Sequence, residues 1–433
     1  MNLFKRSVVL IATCYSMQGF AQDLQAINTT LSDVERRLVS WVDGNEANIL
    51  GELKSHVDIN TGTANIAGLD NYRDILQREL VQLGFATSTH SSPDIPVLTC
   101  EGGKVQIADH LLATRDGAGK QSILLNGHLD TVFSAGDEFQ TLMVERDGTL
   151  KGPGVADMKG GIVIMLNALR ALNAEQLLDG SKLTVLLNTD EEIGSLGSRK
   201  LIEQQAKLHD IGLVFEGSYQ NKVTRARKGL GQARIRIIGR ESHAGGAHEE
   251  GVSANLELAH KVVEIEQMTD YQRKVTVNTG VMAGGEKRNT ISGCAEAYID
   301  MRFPTAEDGE QLKQRLIEIA SSATVTNPRY PEFPQIESWA TLHRPVKAQN
   351  DMVDQLISQA MGISKLVGEP IVGTRYSGGG TDGSIAQAVG LPTMDSLGMD
   401  GIGAHSSREA ASVKSLIART KLAAVLLNRL IHQ

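Results

Sequence analysis

The sequence has few cysteines, no excess of basic residues and, beyond its first residues, no long apolar run. Three cysteines occur among 433 residues, and only Cys100 and Cys294 lie outside the N-terminal segment. Two cysteines are too few for a disulfide framework or for a metal site built from thiolates. The formal net charge of −8 gives no electrostatic reason to expect nucleic acid or an anionic membrane as a partner. No internal repeat and no apolar run of bilayer-spanning length follows the N-terminal segment.

The first residues have the pattern of an export signal. Two basic residues precede the apolar stretch 8–13, and Gly19 and Ala21 place small residues where a signal peptidase cuts. A buried N-terminal helix is the alternative, but the apolar stretch is short and a polar sequence begins at Gln22. We therefore predict a signal peptide over residues 1–21 and a periplasmic or secreted mature protein, without a membrane partner after cleavage.

The hydrophobic pattern predicts two domains, as expected for a chain too long for one compact core. Over residues 22–225, short apolar segments alternate with amphipathic helices, which indicates a mostly parallel sheet covered on both faces. Over residues 226–341, the strands alternate polar and apolar positions, which is typical of an antiparallel α+β unit of ferredoxin-like type. The first pattern returns over residues 342–433. The sequence predicts an α/β domain interrupted by an inserted α+β domain.

Residues that can bind metal follow the predicted strands or stand in glycine-rich turns. They are His128 and Asp130, Asp157, the pair Glu191 and Glu192, Glu216, and His405. Each has an ordinary explanation when taken alone, as a helix cap or a surface residue. However, two consecutive acids after an apolar strand point to opposite sides, so one can bind metal while its neighbour moves protons. Imidazole and carboxylate ligands without a thiol suit zinc or a similar ion, and a shared aspartate suits a pair of ions.

Five motifs resemble those of co-catalytic zinc peptidases, the group that contains bacterial glutamate carboxypeptidases, aminoacylases and succinyl-diaminopimelate desuccinylases. The motifs are Gly127-His128-Leu129-Asp130-Thr131, Gly154-Val155-Ala156-Asp157-Met158-Lys159-Gly160-Gly161, Asp190-Glu191-Glu192-Ile193-Gly194-Ser195, Ser242-His243-Ala244-Gly245 and Gly378-Gly379-Gly380-Thr381-Asp382. They occur in the same order over nearly the whole mature chain, and the sequence is most similar to glutamate carboxypeptidase.

The resemblance implies two Zn²⁺ ions per subunit. Asp157 would bridge the ions, Glu192 and His405 would complete one site, and His128 and Glu216 the other. The peptide bond that follows the bridging aspartate is often cis in this group. Asp157-Met158 is the corresponding bond here.

The resemblance also implies the catalytic roles. Glu191 would be the general base, and Asp130 would orient His128. His243 would reach from the inserted domain into the active site of a neighbouring subunit and stabilise the oxyanion, although Ser-His-Ala-Gly can also be an ordinary loop. If this role holds, the protein is a homodimer that assembles through the inserted domain.

Substrate recognition is the least specific part of the pattern. Asn289, Arg302, Arg344 and Gly380 match positions that contact the substrate in related enzymes, and arginine suits a carboxylate because its planar fork binds both oxygens. Ordinary salt bridges are the alternative for each arginine. The sequence departs from the family over residues 290–293 and at Gly217, so the resemblance implies the chemistry but not the side-chain preference.

Together these features predict a dizinc exopeptidase that hydrolyses the amide bond to a C-terminal, glutamate-like amino acid. The first alternative is an amidohydrolase that acts on N-acyl amino acids with the same chemistry. The second is a zinc-containing binding protein without activity, which would need neither Glu191 nor His243.

Overall fold

The computed structural model describes residues 30–432, so the predicted signal peptide lies outside the described part of the chain. The helices are α1 Asp33–Gly44, α2 Glu46–Val57, α3 Ile66–Gln82, α4 Lys159–Ala174, α5 Arg199–Ala206, α6 Ala254–Glu266, α7 Ala306–Ala320, α8 Asp351–Leu366, α9 Asp382–Ala388 and α10 Val413–His432. The strands are β1 Ala86–His90, β2 Ile95–Pro96, β3 Lys104–Val105, β4 His110–Arg115, β5 Ser122–His128, β6 Met143–Val144, β7 Thr149–Lys151, β8 Lys182–Asn188, β9 Ile211–Val214, β10 Lys222–Arg227, β11 Gly229–Ile238, β12 Ser242–His243, β13 Thr276–Gly284, β14 Thr290–Ile291, β15 Cys294–Phe303, β16 Gln335–Arg344, β17 Gly373–Ser377, β18 Thr393–Met394 and β19 Ala410–Ser412. None of the described helices is long and apolar enough to cross a membrane.

A six-stranded, mostly parallel sheet forms the centre of the larger unit, as predicted. Its strand order is β1-β4-β8-β5-β9-β18, and only β4 runs against its neighbours. Strand β5 is buried at every position because helices cover both faces of the sheet. Each fully buried Leu, Ile or Val side chain contributes about 1.5–3 kcal/mol, so these apolar strands fix the sheet in the interior.

Helices α4 and α10 pack together on one face of this sheet, and they have the largest number of buried positions among the described helices. Helix α4 is buried nearly all round because α2 and α10 enclose it. Helices α5 and α9 cover the opposite face with a smaller apolar cluster. The N-terminus of α4 therefore lies at the carboxyl edge of the sheet, where open α/β folds bind ligands.

An antiparallel sheet forms the smaller unit, which we define as residues 229–344. Its strand order is β13-β15-β11-β16, and alternate residues of β15 are buried because α6 and α7 cover one face only. The fourth strand, β16, was not predicted. Its residues are mostly half-buried or exposed, so it lacks the clear alternation of β15.

A disulfide joins the two units. It links Cys100, in the loop between β2 and β3, to Cys294, the first residue of β15. The same loop touches the smaller unit again, since Arg236 Nη1 donates to the Thr99 carbonyl at 2.9 Å. Two cysteines make no framework, but they do form one bridge here, and it connects residues that are 194 positions apart.

Candidate active site

The carboxyl ends of three neighbouring strands bring together residues that are far apart in the sequence. His128 is the last residue of β5, the 3₁₀ turn Glu191–Ile193 follows β8, and Glu216 follows β9. These strands are adjacent and parallel, so the residues at their carboxyl ends share one edge of the sheet.

Asp157 lies at the centre of this group and contacts two histidines. Its Oδ1 is 3.2 Å from His128 Nε2, and its Oδ2 is 3.2 Å from His405 Nε2. Glu216 Oε1 lies 3.5 Å from the same nitrogen of His128, and Glu192 Oε2 lies 3.1 Å from that of His405. The five predicted metal ligands therefore form one cluster with Asp157 between two halves. We call these five residues the ligand cluster.

The loop that carries Asp157 is held by a residue that the sequence analysis missed. The buried carboxylate of Glu409 accepts hydrogen bonds from the backbone amides of Gly154, Ala156 and Asp157 at 2.8–3.0 Å. Gly154 has φ +74°, a conformation that favours glycine, and the Asp157-Met158 bond is cis. Nothing in the local sequence distinguishes Glu409 from an ordinary loop acid.

Asp130 connects the carboxyl end of β5 to the turn that follows β8. The Nδ1 atom of His128 lies 2.9 Å from the Asp130 carbonyl oxygen and 3.4 Å from the Asp130 carboxylate. That carboxylate also accepts hydrogen bonds from the backbone amides of Glu191 and Glu192, both at 3.1 Å. Asp130 is fully buried. It therefore orients His128 mainly through its backbone, while its side chain holds the turn that carries the two glutamates.

The ligand cluster contains several carboxylates in a buried place. Burial, and then the charge of Asp157, raises the pKa of both Glu192 and Glu216 to about 8. Burial opposes the charged form of His128, but hydrogen bonds to Asp130, Asp157 and Glu216 outweigh it and raise the His128 pKa well above its usual value. Hydrogen bonds to Asp157 and Glu192 raise the pKa of His405 to about 11.

The donors of the cluster fit divalent metal ions. Glu192 Oε1 is buried and has no hydrogen-bond partner in the protein, which is costly unless the oxygen binds a cation. His128, Asp157 and Glu192 place ligand atoms within 4.8 Å of one another, and so do His128, Glu191 and Glu216. Oxygen and imidazole nitrogen donors of this kind suit zinc.

Glu191 lies beside the ligand cluster and is held by an arginine of the smaller unit. Arg344 Nη2 donates to Glu191 Oε1 at 2.7 Å and to the Glu191 carbonyl at 3.0 Å, and it lies 3.4 Å from Asp382 Oδ1. Only 2% of the Arg344 side chain is exposed. A Cβ atom at Gly380 would lie 2.8 Å from Arg344 Cγ. The absence of a side chain at residue 380 therefore leaves room for the Arg344 side chain in its observed position.

Two of the cavities beside the ligand cluster are also lined by Glu191, and they share Gly380 and His405 as well. Cavity A, of about 370 Å³, extends under the smaller unit and includes Arg302. Cavity B, of about 290 Å³, extends towards β17 and includes Asp157 and Glu216 among its lining residues. A small substrate can therefore reach the cluster from either side.

The other predicted residues lie farther out. Arg302 pairs with Asp300 at 2.7 Å and donates to the Gly378 carbonyl at 3.1 Å, so it bridges the two units at the edge of cavity A. His243 and Asn289 are exposed and adjacent, and the Asn289 carbonyl accepts from the amide of Ala244 at 2.9 Å. Neither of these two residues lines cavity A or cavity B. Within one subunit, the structure does not bring them to the ligand cluster.

Comparison with known proteins agrees with this geometry. The sequence model described as Peptidase family M20/M25/M40 matches residues 124–429. Carboxypeptidase G2 of Pseudomonas sp. (strain RS-16) is 30% identical over 382 residues, which are 88% of this chain and 88% of that protein. Acetylornithine deacetylase of Pasteurella multocida (strain Pm70) is 33% identical over 247 residues, which are 53% of this chain and 60% of that protein. The crystal structure of a tripeptidase from Staphylococcus aureus subsp. aureus mu50 has the same fold, with a TM-score of 0.68 at 20% identity over 90% of this chain and 99% of that one.

Proposed function

Because the chain belongs to peptidase family M20/M25/M40, we propose that it is a dizinc carboxypeptidase that releases a C-terminal, glutamate-like amino acid from a small peptide or N-acyl conjugate. The predictions of the family and of a metal-dependent hydrolase are confirmed by the family match and by the similarity to carboxypeptidase G2. The observation that carries the proposal is the pair of half-sites around Asp157, with Glu191 beside them.

The ligand cluster would hold two zinc ions. Asp157 would be shared, His128 and Glu216 would bind one ion, and Glu192 and His405 the other. The unpartnered Oε1 of Glu192 supports this assignment. When bound, such ions polarise an amide carbonyl and lower the pKa of water.

The residues of the chain would supply positioning and proton transfer. Glu191 would take a proton from the attacking water and pass it to the leaving amine, a role worth roughly 10²–10⁴-fold in rate. Arg344 holds the Glu191 carboxylate through its Oε1 at 2.7 Å, and Asp130 holds the Glu191 backbone. Glu191 is therefore fixed in place before substrate arrives, which reduces the entropy lost on reaching the transition state.

Two substrate classes remain to be separated. The similarity to carboxypeptidase G2 over 88% of the chain supports a peptidase, whereas the similarity to acetylornithine deacetylase supports an amidohydrolase of N-acyl amino acids. The zinc-loaded protein should be assayed with C-terminal glutamate peptides, folate-type conjugates and N-acyl amino acids. Release of a C-terminal residue from the peptides supports the proposal. Turnover of N-acyl amino acids alone would favour the alternative.

We also propose a homodimer in which His243 completes the partner subunit's active site. Strand β13 is at the edge of the smaller sheet, and its Val281 and Met282 side chains are each 51% exposed. An edge strand with exposed apolar residues favours pairing with another chain. His243 is exposed and lines neither cavity A nor cavity B of its own subunit, as expected of a residue that acts across an interface.

Export to the periplasm or the medium completes the proposal. The signal-peptide pattern of residues 1–21 supports it, and so does the Cys100–Cys294 disulfide, since disulfides persist mainly in oxidising compartments. N-terminal sequencing of the protein from a secreting culture would test the cleavage after Ala21. An N-terminus at Met1 would contradict it.

A further inference from the structure

Four arginines line cavities A and B, and three of them are already paired. Each of the three has a carboxylate oxygen within 3.4 Å: Arg227 with Asp395, Arg302 with Asp300, and Arg344 with Glu191 and Asp382. An arginine that is paired in this way gains little from a substrate carboxylate, because binding would have to displace the carboxylate that it already contacts.

Arg375 is the exception. It lies on β17 and lines cavity B, together with Asp157, Glu191 and Glu216. In the described residues 30–432, no carboxylate lies within 4.0 Å of its guanidinium. The Nη2 atom makes one long hydrogen bond, of 3.3 Å to Ser377 Oγ, and the buried Nε atom has no partner.

The surroundings of Arg375 make this unpaired charge costly. Burial, and then the positive charge of Arg227, lowers the pKa of Arg375. The ring of Tyr219, which also lines cavity B, lies 5.5 Å from the Arg375 Cζ atom, and this ring offers the guanidinium no carboxylate. A bound anion would supply the missing hydrogen-bond acceptor and would offset the repulsion from Arg227.

We propose that Arg375 is a specificity-determining residue that binds a carboxylate of the substrate in cavity B. The inference rests on the proposed function and deepens it, because it names the chemical group that the enzyme selects. The carboxylate can come from two sources, the C-terminal α-carboxylate or an acidic side chain of the released residue. Both present two oxygens to the planar fork of an arginine.

The test compares three substrates that differ only in one carboxylate. These are N-benzoyl-L-glutamate, N-benzoyl-L-glutamine, and the α-amide of N-benzoyl-L-glutamate, each assayed with zinc-loaded wild-type, Arg375→Gln and Arg375→Lys enzymes. Arg375→Gln should lower kcat/KM for benzoyl-glutamate by about 10- to 100-fold, the range for a hydrogen bond to a charged group. The loss should lie mainly in KM, because the carboxylate is bound before and during the reaction. Arg375→Lys should recover part of it.

The two amides identify the source of the carboxylate. If Arg375 binds the acidic side chain, Arg375→Gln leaves turnover of benzoyl-glutamine unchanged; if it binds the α-carboxylate, the α-amide is the insensitive substrate. Equal effects on all three substrates, or none on any, would overturn the inference.

Arg225→Gln is the matched control. Arg225 lies on β10, the strand that pairs with β17, and its positive charge is paired with Asp354 outside both cavities. All three substrates should be turned over as by wild-type, which separates contact in cavity B from a change in net charge.

Calorimetric binding of L-glutamate, L-glutamine and the α-amide of L-glutamate is measured in parallel, since it requires no turnover. If wild-type enzyme hydrolyses none of the substrates, the proposed function fails. The inference about Arg375 then stands only if Arg375→Gln weakens binding of glutamate more than that of one of the two amides, and equal weakening of all three ligands would overturn it.

Discussion

Replacing Glu191 by glutamine removes the basic carboxylate while keeping an oxygen at nearly the same place. That oxygen can still accept the hydrogen bond that Arg344 Nη2 donates to Glu191 Oε1 at 2.7 Å. Arg344 also keeps Asp382 at 3.4 Å, so the substitution does not leave a buried cation without a partner. The fold and the ligand cluster should therefore be retained.

The expected loss of activity is large. General-base catalysis contributes roughly 10²–10⁴-fold, which corresponds to about 2.7–5.5 kcal/mol of transition-state stabilisation. The kcat of the zinc-loaded Glu191→Gln enzyme should fall by that factor with little change in KM. Elemental analysis should still find the zinc content of wild-type, and denaturant unfolding should show an unchanged midpoint.

The zinc content of the variant matters because the geometry would also allow Glu191 to be a metal ligand. Glu191 shares a group with His128 and Glu216 whose ligand atoms lie within 4.8 Å of one another, so it could bind metal itself. Glu192→Gln is the matched variant: Glu192 Oε2 lies 3.1 Å from His405 Nε2, and its loss should weaken zinc binding. If Glu191→Gln lost zinc while Glu192→Gln kept it, the two roles would be reversed.

Three further outcomes are expected. Asp157→Ala should abolish nearly all activity and reduce the zinc content from about two ions per chain. A fully active wild-type enzyme with only one tightly bound ion would contradict a dinuclear site. His243→Ala alone should lower kcat by about 10²–10³-fold with the zinc content unchanged. Mixing Glu191→Gln and His243→Ala subunits under conditions of exchange should restore activity, because one site of each mixed dimer carries both defects and the other carries neither. Mixed dimers without recovered activity would show that His243 does not act across the interface. Replacing Cys100 and Cys294 by serine should lower the free energy of unfolding, measured in a denaturant titration, by about 2–5 kcal/mol. The wild-type protein under reducing conditions should be as stable as the variant. Equal stability of the wild-type protein with and without reductant would show that the bridge does not form.

The types of ligand and their order along the chain could be predicted because they depend on local sequence. His128 ends the short apolar strand β5, while Glu192 and Glu216 follow soon after β8 and β9. Neighbouring parallel strands place their carboxyl ends at one edge of the sheet. The grouping of His128, Glu192 and Glu216 required only that these strands lie side by side, whereas Asp157 and His405 come from loops outside the strands, and the Asp157 loop is held by Glu409. For these strand-end residues, the local hydrophobic pattern and the geometry of a parallel sheet predict the same grouping.

The contacts of Arg344 could not be predicted in this way. It was assigned to the substrate by resemblance, and the structure places it against Glu191, 153 residues away in the sequence. This contact depends on the course of β16, whose half-buried residues carry no clear hydrophobic alternation, and on how the smaller unit packs over the cluster.

Tertiary structure alone also decided which charges are paired. From the sequence alone, Arg302, Arg344 and Arg375 are equally plausible as residues that bind a substrate carboxylate. In the structure, only Arg375 of these three has no carboxylate partner within the described residues. Glu409 and the Cys100–Cys294 bridge are of the same kind. A residue's type sets what it can bind, whereas its available partner depends on long-range packing, which no local pattern of the sequence encodes.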